Sequence, residues 1–501
     1  MNKFFTLLIL MLLTGTTACK KIFDTPAYPS PGIQQLRELL TGSGYPRHDR
    51  IFQQGLVLMD DDVQDVFEPG RTPQAEQYVL AYTALYSWEP KWLEKLDSSI
   101  LSSHSKNFNA WARYYENIAA LNTVLDKLEQ EPLALAEQKQ LAGEALGLRA
   151  FYYLQLVNLY ALPYTPAAAA SLGVPLVLHA AYSNTPLPRN TIGEVYAQIK
   201  SDIDSSIVLL QELPEPESRY RIGTTAAHFI ACRTALYMRN WKSVIRHANA
   251  VLERSGSLMQ LNGWGAPDPE NKSITAAGNI ETVWAYGSAE DFLPEGFTQN
   301  FTLSTDLVGL FDSGDLRRGI YFVELSDSEK QAKGYSYINA KRSLNRGNLQ
   351  TGKSLRIAEI YLNRAEAWLE LAEENNNPDY ASLALADINQ LRLHRFAPDR
   401  YQPLRMESLS SLVQAYRDER RRELFGEDHR WFDLRRFGMP FMGHHWYGSS
   451  SFGGIIFLMM EKDLQYVWSI PESAIRLNPS LQQNPQIVER PAIELYKTGF
   501  F

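Results

Sequence analysis

Cysteine is nearly absent from this chain: Cys19 and Cys232 are the two among 501 residues. A disulfide framework is therefore excluded, and stability must come from packing. Basic charge is not in surplus either; the formal net charge is −8. No cationic excess is left to neutralise phosphates, so nucleic acid is not an expected partner. Beyond Leu13 no apolar run reaches the roughly 20 residues that span a bilayer as a helix. No carboxylate pair stands out at a spacing that suggests glycoside hydrolysis, which needs two carboxyls roughly 5–10 Å apart, so no catalytic residue is assigned. Asp60, Asp61, Asp62 and Asp65 cluster, but without the glycine and terminal glutamate of an EF-hand loop. His444 and His445 are adjacent, and neighbouring histidines without a third ligand at helical spacing make a poor metal site. No metal and no cofactor are expected.

Aromatic residues, by contrast, are plentiful, with 26 Tyr, 22 Phe and 10 Trp. Most of them suit a Tyr-rich helical core, and the remainder an exposed stacking surface. Cys232 lies in a helical run, AAHFIACRTALYM, and suits a small buried hydrophobe.

The N-terminus reads as an address. Lys3 precedes an apolar run from Phe4 to Leu13, followed by small residues up to Ala18. This is a secretory signal, too short for a stable span. Its Thr-Ala-Cys ending resembles the lipobox of bacterial lipoproteins, in which cleavage precedes the cysteine and the thiol is lipidated. The resemblance makes residues 1–18 a signal peptide, Cys19 a lipid anchor to a membrane and 19–31 a tether. Residues 32–501 are left as the folded part.

Helical periodicity dominates that part. Trp111, Tyr115, Ile118, Leu121, Leu125 and Leu128 recur at steps of three and four. Pro132 ends the pattern. A second helix, through Tyr160, carries a stripe at Leu141, Ala145, Leu148, Tyr152, Leu156 and Leu159, with more apolar residues on its other side. A helix apolar nearly all round must be covered by several neighbours. Further helices are expected at about 71–88, at 189–210 with Asn190 or Thr191 as cap, at 224–238 and at 241–253. Residues 256–348 break the rhythm, being rich in Gly, Asn, Ser and aromatics. Irregular insertions of this size are usually functional. Helical patterns return from Ser354 and run to about 437. The run Arg417–Asp433 alternates charge at helix spacing, for example Asp418 with Arg421 or Arg422, and suits a salt-bridged face or buried network. The segment up to Leu458 is Gly-rich, and the C-terminal stretch has strand and turn character. Periodicity alone gives an all-α scaffold of helical pairs, little β structure and a large irregular insert.

Ten short blocks, in order, resemble the SusD/RagB family of surface lipoproteins of Bacteroidetes. They include GEALGLRAFYYLQLVNLY, with Ala161 where glycine is usual, PRNTIGEVYAQIKSDI, DLVGLFDSGDLRR, LRIAEIYLNRAEA, ERRRELFGEDHRWFDLRRFG and IPESAIRLNPSLQQNP. The resemblance covers nearly the whole mature chain. It implies a single domain over 32–501, with TPR-like helical pairs at about 71–252 and 354–437 and a ligand-side insert at about 256–348. It further implies an outer-membrane lipoprotein, facing outward, that binds a nutrient glycan without chemistry of its own. Such a protein passes its cargo to a SusC-like TonB-dependent barrel. A TPR-type adaptor or peptide-binding lipoprotein of the same complex is the alternative, and a helical glycosidase the more distant one. In glycan-binding members, aromatic platforms come from loops before the Trp111-type helix and from the irregular middle region. Here those regions offer Trp88, Trp92, Trp264, Trp284 and Tyr286, with Asn107, Asn109 and Arg113 as hydrogen-bonding groups. Trp284, within NIETVWAY, also resembles a family strand motif.

Overall fold

The computed structural model describes residues 32–47, 52–65, 72–100, 106–130, 135–181, 186–264, 273–288, 291, 301–333, 336–339, 352–447 and 454–495. The expected signal peptide, the Cys19 anchor and the tether lie outside the described residues. Among these residues no helix is long and apolar enough to cross a membrane.

Helix α1 (Ile33–Leu39) runs into a π-helical turn, Leu40–Gly44. Strand β1 is Val63–Asp65. Helices α2 (Pro73–Tyr86) and α3 (Trp92–Asp97) precede the expected hairpin, which is α4 (Ala110–Leu128) and α5 (Ala136–Tyr160). The stripe on α4 is buried apart from half-buried Tyr115, and α5 is buried on nearly every side, Glu144, Arg149 and Asn158 included. Burial of those polar groups is tolerated because each is paired. Arg149, for example, makes a two-pronged contact with Asp202 at 2.7 and 2.8 Å.

Helix α6 (Ile192–Leu210) starts at Thr191, whose hydroxyl accepts from Glu194 N while the Glu194 carboxylate accepts from Thr191 N. That reciprocal arrangement satisfies two backbone donors at the helix start. Helices α7 (Thr224–Tyr237) and α8 (Trp241–Arg254) follow. Each of α4 to α8 packs on the next, and α8 packs on the later helix Ile357–Asn375, so the helices form one continuous stack.

The insert contains short strands that periodicity did not show. They are β2 (Thr282–Tyr286), β3 (Phe301–Leu303), β4 (Phe322–Glu324) and β5 (Tyr337–Asn339), with short helices α9 (Thr305–Val308), α10 (Arg317–Ile320) and α11 (Asp327–Lys333). Strand β6 (Lys353–Arg356) occupies residues expected to open a helix. The pairings are antiparallel and long-range: β1 with β3, β2 with β6, β4 with β5. Helices α12 (Ile357–Asn375), α13 (Pro378–Leu393), α14 (Leu409–Leu424) and α15 (Arg430–Arg436) resume the scaffold. The Gly-rich segment beyond them folds as strands β7 (Met442–Trp446) and β8 (Ile455–Met459) of a three-stranded sheet that β9 (Ala492–Glu494) completes, after the short α16 (Glu472–Leu477).

The charged run on α14 and α15 is a buried network, as expected, with different partners. Asp418 is half-buried and accepts from Gln414. Arg421 reaches Asp62 at 2.8 Å, and Arg430 reaches Asp61 at 2.6 Å. The aspartate cluster is thus held by two arginines that sequence spacing could not pair with it.

Candidate functional site

The main cleft lies where α4 begins. It encloses about 270 Å³ between residues 42–47 and the first two turns of α4, and is lined by Tyr45, Arg47, Phe52, Arg113, Glu116 and Asn117 among others. Its far wall is set by hydrogen bonds. Asn117 Nδ2 donates to Ser43 O at 3.0 Å and to Gly44 O at 3.3 Å, and the Tyr152 hydroxyl donates to Gly44 O at 2.6 Å. Glycine is needed at 44, because a Cβ there would meet Leu121 Cδ2 at 2.8 Å. Tyr45 is anchored by donating to Glu144 Oε2 at 2.6 Å. Burial and the Glu144 charge push its phenol well above the usual range, so it remains a neutral donor.

Phe52 forms the floor, and its position is fixed from below. The buried Asp291 carboxylate accepts from the backbone N–H groups of Phe52, Gln53 and Ser288. Burial raises its pKa to about 6. Beneath the floor an enclosed cavity of about 20 Å³ lies among Gln53, Tyr114, Arg233, Tyr286, Lys353 and Asp428. That volume suits a single water, which Gln53 Nε2, buried and without a hydrogen-bond partner among the described residues, would bind.

Two charged side chains of opposite sign face the opening. Arg113 Nη1 contacts Glu116 Oε2 at 3.3 Å, and their side chains are 25% and 66% exposed. Arg113 Nε has no hydrogen-bond partner among the described residues. The cleft therefore offers guanidinium and carboxylate groups, donor and acceptor side by side, to a neutral polyhydroxylated ligand. Glu116 is the one carboxylate among the described lining residues.

The aromatic platforms expected from sequence are not there. Trp88 is fully buried, with its indole N–H donating to Met59 O at 2.8 Å. Trp92 is buried edge-on against Trp468, with ring centroids 5.0 Å apart. Trp284 is fully buried on β2, stacked on Tyr286 at 4.6 Å and edge-on to Phe151 at 5.2 Å. Tyr286 is buried too and lines the small cavity. Trp264 is half-buried and packs against a second, smaller core around Leu307, Phe311 and Phe322. The four buried rings have their faces covered by protein, and a sugar needs a bare one, while Trp264 stays partly exposed. Asn109 caps α4, its Oδ1 accepting from Ala112 N at 3.0 Å. Asn107 is buried. Of the polar groups expected from sequence, Arg113 is the one that lines the cleft. Glu116 and Arg47 were missed; Glu116 could have been found, because it lies one helical turn from Arg113 on the same face.

The comparisons with known proteins agree with this architecture. Residues 49–236 match a family model described as "Starch-binding associating with outer membrane", and residues 328–486 match the model of the SusD family. A SusD-like protein of Formosa agariphila is 23% identical over 88% of this chain and 87% of its own. A SusD-like carbohydrate binding protein of Bacteroides vulgatus superposes with a TM-score of 0.66 at 19% identity, covering 91% of this chain and 98% of its own. A SusD superfamily protein of Bacteroides thetaiotaomicron gives a TM-score of 0.65 at 19% identity with the same coverage. This mainly helical chain belongs to the SusD/RagB family.

Proposed function

We propose that the chain is a cell-surface lipoprotein that binds one sugar unit of a nutrient glycan in the α4 cleft and passes the glycan to a TonB-dependent outer-membrane transporter. The observation that carries the binding step is the Arg113–Glu116 pair, whose side chains line the cleft and are 25% and 66% exposed. Family membership supports the ligand class, and the lipobox-like Cys19 supports the anchor. A volume of about 270 Å³ lies just below the range of about 300–1,000 Å³ common for small-molecule sites. A single ring or a chain terminus fits, and further units would lie over the opening. Binding then depends more on hydrogen bonds than on stacking.

The test is affinity electrophoresis of the chain lacking residues 1–19 through gels holding a panel of polysaccharides, followed by calorimetry with oligosaccharides of the retarding glycan. Arg113→Ala should weaken binding about tenfold or more, the worth of one charge-assisted hydrogen bond. Unchanged affinity in Arg113→Ala and Glu116→Ala, with a glycan still bound, would move the site elsewhere. Turnover of the glycan in the same samples would reopen the glycosidase reading.

A further inference from the structure

We propose that His444 is a buried imidazolium cation that fastens the C-terminal sheet to the α2 end of the scaffold, making that junction pH-sensitive. His444 lies on the inner face of β7 and is 3% exposed. Both ring nitrogens face backbone carbonyl oxygens: Nδ1 lies 2.8 Å from Tyr86 O, and Nε2 lies 2.9 Å from Asp60 O. A neutral imidazole carries one N–H. It could donate to one of these carbonyls and would have to turn a lone pair toward the other. A ring protonated on both nitrogens satisfies both.

The rest of the surroundings suit a cation. The ring is stacked on Tyr86 with centroids 4.3 Å apart, and its centroid is 3.9 Å from that of Trp88. Aromatic faces attract a desolvated cation. Trp88 takes this place with a left-handed backbone, φ +53°, which is costly for any residue but glycine. Local strain of this kind persists where packing over-determines it.

Charged groups pack around the ring from several elements. The segment before it carries Asp60, Asp61 and Asp62, and β1 adds Asp65, all but Asp61 buried. From α14 and α15, Arg421 and Arg430 pair with Asp62 and Asp61. Burial and the neighbouring aspartates raise the Asp60 carboxyl well above the usual range. On the far side Arg490 lies over Trp88, but Asp463 at 2.6 Å neutralises it. Exposed His445 and Tyr447 stand on the outer side of the strand, and the Tyr86 hydroxyl is kept neutral by burial. Burial pulls the His444 pKa down to about 4 even with the two carbonyls and Asp61 opposing it. The hydrogen-bond geometry decides for the charged form.

The two protonation states predict opposite pH dependence. An imidazolium with a folded pKa above the free value of about 6.5 contributes stability that is complete below that value and is lost as pH rises through the folded pKa. A neutral ring with a depressed pKa contributes stability that is lost only as pH falls toward the lower value.

The experiment is nitrogen NMR of the histidine-labelled chain lacking residues 1–19, with His444→Gln used to assign one signal among nine histidines. Two protonated nitrogens at pH 7, with a titration midpoint above about 6.5, are expected. One protonated and one bare nitrogen at pH 7 would overturn the assignment. Should His444→Gln not fold, the same signal is assigned from the wild-type chain by its contacts to Trp88 and Tyr86 protons. Melting temperatures of the wild type and His444→Gln should converge as pH rises from 7 to about 9. Convergence only on acidification would equally overturn it.

Discussion

Trp88 shows how little a residue's type says about its use. In sequence it is an aromatic in a loop between two helices, and a sugar platform would look the same. Burial decides, and burial here follows from a partner 29 positions away, the Met59 carbonyl that accepts its indole N–H. Trp88→Ala should remove a fully buried indole and destabilise the fold by about 3–5 kcal/mol. Glycan affinity of the folded fraction should be unchanged. Chemical denaturation and calorimetry separate the two effects. A loss of affinity with no loss of stability would restore Trp88 to the binding site. Arg113 is the contrasting case. Its place on the first turns of α4 was legible from helical spacing, because it follows Trp111, which opens the apolar stripe. That its side chain would line a cleft was not, because the opposite wall comes from residues 42–47, whose position depends on long-range hydrogen bonds.

At the scale of elements, helices were legible and strands, β2 in the NIETVWAY motif apart, were not. The helices carry their own period and caps, as in α4, α5 and α6, and their limits follow from Asn109, Pro132 and Thr191. The strands are three to five residues long and find partners more than a hundred residues away in β1–β3, so no local alternation marks them. Strands β7 and β8 hid in a Gly-rich segment for the same reason. One feature of the helix crossing was present in sequence without being read. Gly143 and Gly147 are four apart on α5 and let α6 approach closely. A Cβ at Gly143 would meet Leu210 Cγ at 2.7 Å, and Ser206 donates to the Gly143 carbonyl at 2.6 Å. Gly143→Ala gains about 1 kcal/mol of helix propensity but overpacks a site whose cost is about 1–3 kcal/mol. Net destabilisation, read as a lower denaturation midpoint, is the expected outcome. A rise in midpoint would mean that Leu210 moves aside freely.

On the scale of the whole molecule, the irregular insert and the helical scaffold are joined by buried charge. Glu281, Asp315 and Arg317 come from the insert; Arg356 from β6; Arg392 and Arg395 from the α13 end; Glu419, Arg422 and Glu423 from α14, and Glu427 from the turn after it. Five arginines and five acids balance. Glu423 is central, contacting Arg317 at 3.1 Å, Arg356 at 3.0 Å and Arg395 at 3.0 Å. The sequence signalled a charged network on α14, but its partners in the insert are about a hundred residues distant and follow no helical spacing. Such a network need not add stability over an apolar core, yet removing one partner strands the others in a medium that cannot solvate them, at a cost of about 3–5 kcal/mol. Glu423→Gln should therefore unfold at lower denaturant concentration at pH 7. The three guanidinium groups hold the Glu423 carboxyl well below the usual carboxylate range, and Arg317 does the same for Glu419. A depressed carboxylate contributes stability that is complete above its unfolded value, about 4.3, and is lost as pH falls toward the folded one. The gap between wild type and Glu423→Gln should accordingly be widest near neutral pH and narrow on acidification below about pH 4.3. Denaturation midpoints measured from pH 7 to pH 3 would show it. A gap constant across that range would mean that the loss comes from packing around residue 423 and not from its charge.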